Sequence, residues 1–102
     1  MELTVIAVDF DGTLCENAWP DIGPERKDVI RALLARQWNG AKLILWTCRV
    51  GSRLKLALEW CQQRGIDFDA VNENLSEIVD EFGGDCRKIF AHEYWDDRAV
   101  IP

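Results

Sequence analysis

The sequence predicts an α/β fold built on a small parallel sheet, and three observations carry that expectation. The runs LTVIAV at residues 3–8 and KLILW at residues 42–46 are almost continuously apolar, as strands covered on both faces are. A stretch with helical spacing lies between them, and strand, helix, strand in that order makes a right-handed parallel unit. Both runs stop at polar residues, Asp9-Phe10-Asp11-Gly12-Thr13 after the first and Thr47-Cys48-Arg49 after the second. A chain of 102 residues is one domain. At that size roughly 60 to 70% of the unfolded surface is buried, enough for one core.

The elements follow in order. In the first strand Val5, Ile6 and Val8 are β-branched, and on an extended chain Asp9 and Asp11 leave its end on one side, with Phe10 turned away. Gly12 lets the backbone turn sharply and approach a ligand. Residues 15–23, CENAWPDIG, read as a loop with one large aromatic, Trp19, which either packs on the body or stacks on a substrate. Pro24 suits the first position of a helix over residues 25–38, where Val29, Ile30, Leu33, Leu34 and Trp38 recur on one face and Asn39-Gly40 stops it. After the strand at 42–46, Ser52 is positioned to cap a helix running to Arg64, with Gly65 beyond it. That helix entrance, beside Arg49 and Arg53, is an expected anion site.

Residues 66–71 suit a third, more exposed strand ending in Asn72-Glu73-Asn74. Asn72 is open to substrate contact or to turn chemistry, while Asn74 with Glu77 matches a cap for a helix over 75–82 that Gly83-Gly84 closes. The final segment, RKIFAHEYWDD, places Lys88 ahead of the last core strand and the acidic pair Asp96-Asp97 after it. His92, the single histidine, reads as a surface or edge residue.

Bulk properties narrow the function. A formal charge of −6 and a pI near 4.7 disfavour nucleic acid and anionic membrane as partners. No apolar stretch is long enough to span a bilayer, and Met1-Glu2 leads straight into a strand, so a cytoplasmic protein is expected. Cys15, Cys48, Cys61 and Cys86 are scattered without a C-x-x-C pair, which suits reduced thiols better than zinc or a disulfide framework.

In an open parallel sheet, ligands bind beyond the carboxyl ends of the strands. Asp9, Asp11, Thr47, Asp96 and Asp97 all follow directly on expected strands and so converge on one rim. Carboxylates that close repel one another unless a cation or a shared proton intervenes. An all-oxygen set of this kind suits Mg2+, with Thr47, Lys88 and Arg49 available to phosphate oxygens.

Asp9-Phe10-Asp11-Gly12-Thr13, Thr47 closing the second strand, Lys88, and Asp96-Asp97 together resemble, in order, the four motifs of the haloacid dehalogenase superfamily of phosphohydrolases. The resemblance spans residues 5–97. It implies a Rossmann-like three-layer sandwich whose four strands, numbered along the chain, lie in the order 4-1-2-3 with helices on both faces. It implies roles as well. Asp9 is the nucleophile that becomes an aspartyl phosphate, and Asp11 the acid and base. Thr47 and Lys88 hold phosphoryl oxygens. Mg2+ is held by Asp9, the Asp11 carbonyl and Asp96, with Asp97 direct or through water. Apart from the resemblance, Arg49 at the helix entrance, the close turn at Gly12, and Asn72 where it is not spent on the turn are the expected further substrate contacts.

Two departures bear on specificity. The segment after Leu14 is too short for a cap domain, so an open site and a large or varied phosphorylated substrate are expected. The chain also ends at Pro102, before a customary fifth strand and final helix, so a second copy is a possible cover for the sheet edge. Two alternatives retain the site, a phosphoryl-binding module without turnover and a phosphotransferase with the same intermediate. A phosphoacceptor receiver domain fits less well, because the D-x-D-G-T turn has no place in it.

Overall fold

The computed structural model describes residues 3–102, and its architecture grows from the strand β1 (Val5–Val8), whose side chains are all buried. Ile6 and Val8 enter one apolar cluster, and Val5 and Ala7 enter another on the opposite face. A strand covered on both sides has to be central. β1 accordingly pairs in parallel with β4 (Lys42–Leu45) on one side and with β6 (Glu93–Trp95) on the other. β5 (Ala70–Val71) adds to the outer side of β4, giving a four-stranded parallel sheet in the order β5-β4-β1-β6.

Helices α1 (Lys27–Trp38) and α2 (Gly51–Gln63) cover one face, burying Ile30 and Leu33 from the first and Ala57 and Cys61 from the second against Ile6, Val8, Leu43 and Leu45. Helix α3 (Ser76–Phe82) places Ile78, with the preceding Leu75, in the other cluster with Val5, Ala7 and Ile44. The fold is therefore α/β with a four-stranded parallel sheet and helices, compatible with a Rossmann-like arrangement. Among the described residues no helix is long and apolar enough to cross a membrane.

Several local expectations are corrected. Residues 15–23 are not a loop: β2 (Cys15–Ala18) and β3 (Asp21–Glu25) form an antiparallel hairpin whose tip carries the cis Trp19-Pro20 bond. Pro24 belongs to β3 rather than to the first turn of α1, and it falls where the register shifts, a place where a strand accepts a residue without an N–H. Gly23 is required there, since a Cβ would sit 2.1 Å from the Glu16 carbonyl oxygen.

Trp38, expected on the apolar face of α1, is 90% exposed. Val50, in extended conformation, precedes α2 in place of a Ser52 cap. The strand expected over 66–71 shrinks to its last two residues, because the Asp69 carboxylate accepts from the Leu43 N–H at 2.8 Å where a strand carbonyl would otherwise pair. Asn74 does not cap α3. Its buried amide donates to Asp85 and to the Cys86 carbonyl and accepts from the Phe90 N–H, holding the segment that leads into β6.

His92 extends the β1–β6 pairing: its Nδ1 accepts from the Val5 N–H, and its own N–H donates to the Val5 carbonyl. Arg36 of α1 grips Glu93 of β6 with two nitrogens and holds that carboxyl below its ordinary range.

Leu33 is fully buried between α1 and the sheet, so Leu33→Ala is expected to cost about 2–5 kcal/mol in urea unfolding, whereas exposed Trp38→Gln should stay within about 0.5 kcal/mol of the native chain.

Candidate functional site

The carboxyl ends of β1, β4 and β6 meet at one rim, and the polar residues that follow them line a cavity of about 340 Å³ together with the hairpin. Asp9 leaves β1 with its N–H donated to the Trp95 carbonyl, which ties it to the end of β6. Asp96 and Asp97 come next on that neighbour. A Cβ on Gly12, whose φ is +87°, would lie 2.2 Å from Asp97 Oδ2, so only glycine lets this turn pass so close to the carboxylate. The Asp97 N–H donates to Thr13 Oγ1 at 3.1 Å, and Asp96 Oδ1 accepts from the Arg98 N–H at 2.9 Å. One carboxylate oxygen from each of Asp9, Asp96 and Asp97 lies within 4.8 Å of the others.

Thr47 and Asn72 form the next wall. The Thr47 N–H donates to Asn72 Oδ1 at 2.8 Å, and Thr47 Oγ1 accepts from the Arg49 N–H at 3.1 Å. Asn72 is held at a positive φ of 55°, a conformation asparagine tolerates, and its own N–H bonds to the Leu45 carbonyl. Thus Asn72 orients the strand end that presents Thr47. Both residues, with Trp46 and Cys48, line an adjoining hollow of about 240 Å³ that shares Asp9 and Asp96 with the first.

Electrostatics separate the acids. Asp11 is matched by Arg49, whose Nε and Nη2 donate to its two oxygens at 2.8 and 2.7 Å. Among the described residues Asp9, Asp96 and Asp97 have no such cation. Burial raises the Asp9 carboxyl from its ordinary 3.8 to about 7, helped by its hydrogen bond to Asp97 and by the charges of Asp96 and Asp97. A group of three oxygen-donor acids of this kind could hold a hard divalent cation.

The rim thus brings together Asp9, Asp11, Gly12, Thr47, Asn72, Asp96 and Asp97. Arg49 is not an open anion contact: its side chain is 1% exposed and faces Asp11. Lys88 is exposed and lines neither hollow. Sequence reasoning missed Asn17 and Arg98 as lining residues, although Arg98 directly follows the acidic pair, while Cys48, beside Thr47, lines the cavity too. A larger hollow of about 460 Å³ shares no residue with the rim. Its acids include Asp69, Glu73 and Asp80, and its lysine, Lys42, already faces Asp69 at 3.7 Å, so it offers no comparable set of partners.

No protein-family model matches the chain, and no curated protein does. A solved structure of a conserved protein from Bacteroides thetaiotaomicron superposes with a TM-score of 0.85 at 42% identity, over 99% of this chain and 83% of that one. The chain belongs to the same family as that Bacteroides protein. Kinship with this conserved protein carries the fold across nearly the whole chain.

The folded chain holds a proton on Asp9 more tightly than the unfolded chain does. That contribution to stability is complete below about pH 4 and lost as pH rises through about 7. In chelator-treated buffer the native Tm should therefore fall relative to that of Asp9→Asn between pH 4 and 7, as followed by circular dichroism.

Proposed function

We propose that the chain is a Mg2+-dependent phosphohydrolase of the haloacid dehalogenase type, acting on phosphomonoesters through an aspartyl phosphate on Asp9. One observation carries this: three carboxylates without a cation of their own, Asp9 among them, converge beside Thr47 in a single cavity at the carboxyl end of a parallel sheet. The sheet order β5-β4-β1-β6 and the helices on both faces support the finer reading as a Rossmann-like three-layer sandwich of order 4-1-2-3.

The donor set fits Mg2+, being all oxygen and short of positive charge. Asp9, the Asp11 backbone carbonyl and Asp96 would hold it, with Asp97 direct or through water. When bound it supplies charge that offsets the phosphoryl oxygens and favours the ionised form of Asp9.

The residues divide the work as follows. An Asp9 oxygen attacks phosphorus, and the ester P–O bond breaks as the Asp9–phosphorus bond forms. Asp11 gives its proton to the departing oxygen. Water, surrendering a proton to Asp11, then attacks phosphorus and releases inorganic phosphate and the Asp9 carboxylate. Thr47 supplies a hydroxyl to the non-bridging oxygens, and its backbone is fixed by Asn72.

Lys88 would have to reach in from the exposed segment ahead of Ile89. Its position favours one alternative, a module that binds phosphoryl groups without turning them over. A phosphotransferase would yield a phosphorylated acceptor in place of free phosphate. The partner is a phosphorylated compound, the open rim suits a large or varied one, and a second copy of the chain could cover the sheet edge. Four free cysteines suit a cytoplasmic setting.

Inorganic phosphate release from a panel of phosphomonoesters tests the assignment. The native chain should release phosphate with Mg2+ and none with chelator. Asp9→Asn should abolish release, and Thr47→Ala should lower kcat about 10²-fold. A folded, Mg2+-treated chain that binds phosphate but never releases it from an ester would establish the binding module instead.

A further inference from the structure

Arg49 is the largest fully buried side chain among the described residues and also a charged one. Buried guanidinium donors left without acceptors are strongly destabilising, so this cation must keep its hydrogen-bond partners. Its partner is Asp11, held through both carboxylate oxygens in a fork that fixes the orientation of the carboxylate plane. The remaining donors reach the hairpin tip: Nη2 donates to the Asp21 carbonyl at 3.0 Å, and Nη1 is 3.4 Å from the Pro20 carbonyl. The guanidinium also lies over the rings of Phe10, at 5.1 Å, and Trp19, at 5.0 Å. One cation therefore joins the end of β1, the end of β4 and the tip of the β2–β3 hairpin. Asp11 and Trp19 both line the cavity that contains Asp9.

Resting on the phosphohydrolase assignment, we propose that Arg49 is the positioning residue for Asp11, aiming its carboxyl at the leaving oxygen and tying that aim to the hairpin tip. Asp11 has two oxygens and needs one for chemistry. The other stays on the guanidinium while the first carries the proton to the leaving oxygen, as the ester P–O bond breaks and the Asp9–phosphorus bond forms. Asp11 then regains a proton from the attacking water. Without Arg49 the Asp11 side chain has no fixed rotamer, and the hairpin loses the two backbone contacts that hold its tip against the sheet.

A change in leaving group separates this role from general support of the fold. A p-nitrophenolate leaves without a proton, whereas an alkoxide needs one. The native chain, Arg49→Met, Arg49→Lys and Asp11→Asn would each be assayed with Mg2+ on p-nitrophenyl phosphate and on glycerol phosphate, after circular dichroism has established folding. Arg49→Met should lose about 10²-fold more kcat on glycerol phosphate than on p-nitrophenyl phosphate, the same pattern as Asp11→Asn, because general acid catalysis is worth about that much. Arg49→Lys, which keeps the buried charge but not the fork, should fall between native and Arg49→Met, and it serves alone if Arg49→Met does not fold.

Equal losses on the two esters, or a change confined to KM, would overturn the positioning role while leaving the phosphohydrolase assignment intact. A native chain that releases nothing from either ester overturns that assignment, and this role with it.

Discussion

Like charges at the end of β1 govern how the rest of this protein is arranged. Asp9, Asp11, Asp96 and Asp97 are delivered to one rim because β1 and β6 are parallel neighbours whose carboxyl ends coincide. The chain neutralises one of the four internally, by burying Arg49 against Asp11. Three remain, and partial burial with the neighbouring carboxylates raises the Asp9 carboxyl to about 7. On the phosphohydrolase reading, a cation would complete such a site.

The same constraint explains why the hairpin β2–β3 exists where a plain loop would connect β1 to α1 more simply. A guanidinium placed beneath the rim cannot be left with idle donors. The tip carbonyls of Pro20 and Asp21 accept from those the Asp11 fork does not use, and Phe10 and Trp19 supply the aromatic surface around them. Gly23 permits the tight strand approach that makes the tip, and Gly12 permits the approach of Asp97. Both glycines are where backbone or a carboxylate lies too close for a Cβ, so each is a consequence of crowding around the rim.

What could be read in the sequence was whatever depends on local pattern. Continuous apolar runs located β1 and β4, the spacing of Ile30 and Leu33 located α1, and the adjacency of acids to strand ends located the rim. What could not be read depends on partners distant in sequence. Arg49 seemed a free cation beside a helix entrance because nothing near it in the chain is acidic; Asp11, its partner, lies 38 residues away. Asn74 matched a capping box, yet its amide is satisfied by residues 85–90, which arrive from the far side of α3. The hairpin was hidden because CENAWPDIG has the composition of a loop. Its pairing follows from tertiary contacts with Arg49 that override weak strand propensity.

The placement of Trp19 follows from the same geometry and, on the phosphohydrolase reading, bears on how the site selects. Its ring lies over the Arg49 guanidinium, with Arg53 also above it, and it remains 53% exposed at the mouth of the cavity. A tryptophan that served only to fill the core would be covered, and one that served only as a surface residue would not be braced by a buried cation. Held in this way, the ring forms an apolar part of the same cavity wall as the acids. A phosphoryl group drawn toward Asp9 would then carry the remainder of its ester past that ring. On the phosphohydrolase reading, the hairpin that keeps Arg49 on Asp11 also forms the wall that the substrate meets, so substrate contact and leaving-group protonation share one mechanical support.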